Sequence, residues 1–61
     1  MWKEWRYRDY PIFKKGDQVK SYKDFLHFEG TVANYNEVTS KITLESGKVI
    51  HQLDVGCYIP K

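Results

Sequence analysis

Between Trp2 and Tyr10, the aromatic residues Trp2, Trp5, Tyr7 and Tyr10 are interleaved with the cations Lys3, Arg6 and Arg8. Flat π faces beside guanidinium and ammonium groups are the two ingredients of sequence-tolerant nucleic-acid binding: rings stack on bases while cations pair with phosphates. Lys14, Lys15, Lys20 and Lys23 follow and extend the positive charge. The same residue types also form hot spots between proteins, where aromatics and arginine are enriched for reasons unrelated to phosphate. A third reading is structural: the tryptophans lie over an open end of the fold and enlarge a small core, leaving the charges solvated.

Material for catalysis is thin. Cys57 and His51 are the one tempting nucleophile and base, yet Cys57 follows Gly56 in an apolar, turn-bounded stretch and reads as a small buried hydrophobe. His27 and His51 lack the cysteine or carboxylate spacing of a metal site and read as structural or solvent-facing side chains. Gly16, Gly30, Gly47 and Gly56 are too widely separated to build a phosphate loop. Asp17 and Asp54 sit beside turns, where carboxylates bond local amides, and nothing in the spacing brings them together as an acid and a base. The expectation is a chain that is not an enzyme, with no cofactor and no metal.

Charge is polarised along the sequence. The net charge is +2, but residues 1–23 hold seven cations against three carboxylates, while residues 24–61 hold three against five. Glu29, Glu37 and Glu45 oppose phosphate on whichever face carries them, which confines a DNA or RNA partner to one side. No recognition helix is legible, so base reading in the major groove is not expected. Tyr35, outward by simple strand alternation, is a second candidate for stacking.

The elements that must position these residues are short. Sixty-one residues allow one hydrophobic core. A single cysteine allows no internal disulfide, and no long apolar run suggests a leader or a membrane span, so a cytoplasmic setting is expected. Residues 1–13 read as an N-terminal arm or extra strand, set off by Pro11, and residues 14–61 as the main domain. There, Gln18 to Tyr22, Phe28 to Tyr35, Lys41 to Glu45 and Lys48 to Leu53 read as strands, with a last short strand at Tyr58 and Ile59. Phe25 and Leu26 lie in a connection that folds back over the core, and Val38 and Thr39 extend the strand pairing. Ile42 and Leu44 face inward. Whether Val49 or Ile50 does so is open, because a one-residue slip reverses every side chain. Gly30 inside a strand must serve a bulge, a bend or a close backbone approach, and Leu53 to Cys57 suits a single 3₁₀ turn.

The stretch Lys15, Gly16, Asp17, Gln18, Val19 resembles the opening of SH3-like barrels, where a turn glycine and an acid feed the first core strand. Phe28 to Val32 is similar to the strand entry after the long first loop in the KOW and Tudor-like branches. Ile42 to Ile50 resembles their hairpin, and Leu53 to Ile59 their terminal 3₁₀ turn and fifth strand. The resemblance spans Gly16 to Pro60 and implies an all-β, five-stranded SH3-like barrel carrying an N-terminal aromatic and basic arm. Domains of this kind serve as nucleic-acid binders, as protein-interaction modules and, rarely, as oligomeric enzymes. The leading expectation is nucleic-acid association through Trp2, Lys3, Trp5, Arg6, Tyr7, Arg8, Lys14, Lys15, Lys20, Lys23 and Tyr35. The alternative is a protein partner or a homo-oligomer docked on Trp2, Trp5, Tyr7 and Arg6.

Overall fold

The computed structural model describes residues 1–21 and 27–61. Among these residues six strands alternate with turns: β1 (Lys3–Glu4), β2 (Gln18–Lys20), β3 (Glu29–Asn36), β4 (Lys41–Leu44), β5 (Val49–His51) and β6 (Cys57–Ile59), with a 3₁₀ turn at Gln52–Asp54. Every neighbouring pair is antiparallel, and the order in the sheet is β1-β6-β2-β3-β4-β5. The protein is all-β. The expected count of five rises to six because Lys3 and Glu4 pair with Tyr58 and Cys57 and add a strand outside β6. Among the described residues pairing does not close the sheet, since β1 and β5 each have a single neighbour. The expected end of a strand at Tyr22, the candidate cation Lys23 and the fold-back of Phe25 and Leu26 lie outside the described residues. Among the described residues, no helix is long and apolar enough to cross a membrane.

Alternation decides which side chains enter the core. On β4, Ile42 and Leu44 are buried while Lys41 is exposed. The pairing of Ile42 with Ile50 settles the register of β5, leaving Ile50 8% exposed and Val49 56%. Ser46 and Gly47 turn the hairpin, with Gly47 at φ +95° and its N–H donating to the Leu44 carbonyl at 2.9 Å. The preceding connection is also a tight turn: the Asn36 Oδ1 accepts from the Val38 and Thr39 amides at 2.9 and 3.3 Å, so these two residues sit inside a turn capped by Asn36 and do not lengthen the sheet.

Gly30 serves close approach. It pairs with Val19 on the core side of β2, and a Cβ at Gly30 would lie 3.0 Å from Leu44 Cδ1. The bulge falls three residues later. Val32 pairs with Leu44 but Asn34 with Thr43, so Ala33 is the extra residue of β3 and the facing of the strand reverses there. That reversal corrects the outward placement of Tyr35, which pairs with the buried Ile42 and packs against the core.

The core cluster joins Phe13, Val19, Phe28, Val32, Ile42, Leu44, Ile50, Val55 and Tyr58, with Trp5, Tyr10 and Tyr35 packed on it. Phe13 is its aromatic hub. Its ring centroid lies 5.6 Å from Trp5, 5.5 Å from Tyr10, 6.2 Å from Tyr58 and 6.3 Å from Tyr35, mostly in edge-to-face arrangements. The N-terminal aromatics thus supply part of the interior that so short a chain needs.

Candidate nucleic-acid interface

The arm divides its aromatic residues between burial and display. Trp5 is pinned three ways: its backbone N–H donates to the Gly56 carbonyl at 2.9 Å, its indole N–H to the Tyr10 carbonyl at 2.6 Å, and its ring packs on Phe13. The amides of Asp9 and Tyr10 both donate to the Arg6 carbonyl at 3.0 Å, closing residues 6–10 into a turn. Since Trp5 and Tyr10 both rest on the core, the turn is clamped at its two ends. Its tip presents Arg6, Tyr7 and Arg8 to solvent. Tyr7 is 60% exposed and meets Trp5 only edge-on, at 6.4 Å between centroids. Arg6 pairs with Glu4 at 3.6 Å, but both side chains are largely exposed and such pairs contribute little in water.

Trp2 occupies the other side of the sheet. Lys3, Tyr58 and Val19 form one cross-strand row, on the core side; Glu4, Cys57 and Lys20 form the next, on the outer side. The Lys20 ammonium sits 4.4 Å from the centroid of the half-buried Trp2 ring, so this cation and this ring engage each other. Lys3 is exposed on β1.

A second cationic segment is organised by Asp17. Its carboxylate is 1% exposed, and Oδ2 accepts from the Tyr10 hydroxyl and from the Lys14 amide at 2.8 Å, while Oδ1 accepts from the Lys61 amide at 2.9 Å. Burial, and then the hydrogen bond to Asp17, hold the Tyr10 phenol above its usual pKa. The turn carrying Lys14 and Lys15 is fixed further by Gly16 N–H to the Val32 carbonyl at 2.9 Å and Val32 N–H to the Asp17 carbonyl at 2.7 Å. Gly16 adopts φ +98°, a left-handed conformation that glycine takes without penalty. Lys14, Lys15 and Lys61 are all exposed.

The remaining candidates lie elsewhere. The Tyr35 hydroxyl donates to the buried Gln52 Oε1, so this residue is a strut between β3 and the 3₁₀ turn and not a free stacking surface. Cys57 is buried. His51 Nδ1 accepts from the Leu53 amide at 3.1 Å and caps the 3₁₀ turn, while His27 is exposed beside a shallow groove formed with Lys20, Ser21, Phe28 and Glu29. Among the described residues no three His, Cys, Asp or Glu side chains gather as metal ligands. Sequence reasoning missed Lys61 and the organising part of Asp17. The adjacency of Asp17 to a turn glycine hinted at local amide bonds, but nothing local announces a partner 44 residues away. Comparison with protein-family models, curated proteins and solved structures finds no match.

Proposed function

We propose that this chain is a non-catalytic nucleic-acid-associated module of the SH3-like, KOW or Tudor-like kind, acting in the cytoplasm. The SH3-like part of the reading is supported by β2 to β6: five short antiparallel strands, the first paired with the last, and a 3₁₀ turn ahead of the last. The observation that carries the functional part is the clamped turn with Arg6, Tyr7 and Arg8 at its tip. An exposed ring flanked in sequence by two exposed arginines, on backbone already fixed by Trp5 and Tyr10, can stack on an unpaired base while the arginines meet the flanking phosphates. The backbone of the turn is thus already ordered before binding, and the side chains alone remain to be fixed. Because stacking needs an unpaired base, single strands are the favoured form, and RNA and DNA are both compatible with it.

Titration of the intrinsic tryptophan fluorescence with mixed-sequence single- and double-stranded DNA and RNA at two salt concentrations tests this reading. Single-strand binding that weakens steeply with salt is expected; no binding to any of the four, with anisotropy as a second readout, would overturn it. One observation favours a second reading, a protein-interaction or self-associating module: the outer edge of β5 has no partner among the described residues, and Val49 and Leu53 stand exposed beside it. A concentration-dependent sedimentation coefficient would support that alternative.

A further inference from the structure

The turn around Gly16 bears on how far a bound strand would run, and this inference rests on the nucleic-acid reading given above. We infer that Lys14, Lys15 and Lys61 form a second phosphate-contacting site, continuous with the Arg6–Tyr7–Arg8 turn, for the same nucleic-acid strand. Lys61 comes from the far end of the sequence, yet Asp17 holds its amide and the Lys14 amide on the two oxygens of one carboxylate. The Lys61 stem lies directly over Gly16: a Cβ built there would be 2.5 Å from Lys61 Cδ. A side chain at position 16 would displace this flexible stem, and the φ of +98° by itself favours glycine there.

Three features suit this cluster to phosphate. Asp17, the acid bonded to this turn, has its oxygens committed to backbone amides and the Tyr10 hydroxyl, not to the ammonium groups. Among the described residues, none of the three ammonium groups makes an ion pair. The backbone beneath them is bonded to β3 on both sides of Asp17, so the lysine stems start from fixed points. Tyr10 links the two cationic segments physically, since it closes the arm turn with its N–H and reaches Asp17 with its hydroxyl.

The test replaces Lys14, Lys15 and Lys61 together by glutamine and measures binding of labelled single-stranded DNA and RNA across a salt series, with circular dichroism to check the fold. A control variant, Lys41→Gln with Lys48→Gln, removes cations from the β4–β5 hairpin. If three phosphate contacts are lost, the log–log salt slope falls by about 2 and affinity at 0.1 M salt drops on the order of 100-fold. The control should keep the parent slope. A triple variant that binds as the parent does overturns this inference and leaves the arm reading standing. A control loss of about two-thirds the size also overturns it, because that is what removing two charges against three gives by net charge alone. Failure of the unmodified chain to bind any strand overturns both.

Discussion

Replacing Asp17 by asparagine tests whether one buried carboxylate fastens three separate segments. The substitution keeps the volume and one acceptor oxygen but converts the other oxygen to an NH2 donor. In the native arrangement each oxygen faces a backbone N–H, that of Lys14 on Oδ2 and that of Lys61 on Oδ1. Whichever way the amide is turned, its NH2 group meets one of them, and the hydrogen bonds that remain lose the charge that strengthened them. Hydrogen bonds to charged groups contribute about 1.5–3 kcal/mol each. Three are affected, and the partly exposed Lys14, Lys61 and Tyr10 donors regain some of that through water, so the net loss should be about 3 kcal/mol. A domain of this size loses roughly 4–8 °C of Tm per kcal/mol, which places the Asp17→Asn variant about 15 °C or more below the parent in a thermal melt followed by circular dichroism. Combining it with Tyr10→Phe should give less than the sum of the single effects, because the variants share a bond. A melting temperature within about 2 °C of the parent would refute the assignment of Asp17 as a fastener.

Other outcomes follow from the same geometry. Ile50→Ala should destabilise the fold by about 2–4 kcal/mol in urea denaturation, whereas Val49→Ala should change it by less than about 0.5 kcal/mol; equal effects would mean that the register of β5 is wrong. The raised pKa of Tyr10 means that the folded state holds this proton more tightly than the unfolded chain. Its contribution is therefore fully present below about pH 10, the unfolded value, and is lost as pH rises through the folded value. Stability measured from pH 9 to 11.5 should fall less steeply in Tyr10→Phe than in the parent, and parallel curves would contradict the Tyr10–Asp17 bond.

Much of the fold could be read from alternation and turn chemistry. Ile42 and Leu44 face in as period two requires, Ser46 and Gly47 mark the hairpin, and the 3₁₀ turn at Gln52–Asp54 overlaps the Leu53 to Cys57 stretch that suggested it, beginning one residue earlier. What escaped reading depends on long-range pairing. Ile50 rather than Val49 enters the core because Ile42 stands opposite it, a fact of register and not of either residue. Tyr35 turns inward because Ala33 is a bulge, and a strand of mixed small and polar residues carries no local mark of where the ladder slips. In the arm, composition showed the presence of stacking rings and cations but not their division. Trp5 is packed against Phe13 while Tyr7, two residues on, is displayed, and that split is decided by a turn whose closing bonds leave little trace in residue type.

Contact of Tyr7 and its flanking arginines with a nucleic-acid strand is measured most directly by an anisotropy titration of a labelled mixed-sequence single strand with the parent chain and with Tyr7→Ala. Tyr7 lies outside the core cluster, so the variant should keep its melting temperature to within a few degrees. Salt-sensitive binding by the parent and a loss of about 1–3 kcal/mol in the variant, roughly 5- to 150-fold in affinity, are expected. A folded Tyr7→Ala chain that binds as tightly as the parent, or a parent that binds no strand at all, would contradict that contact.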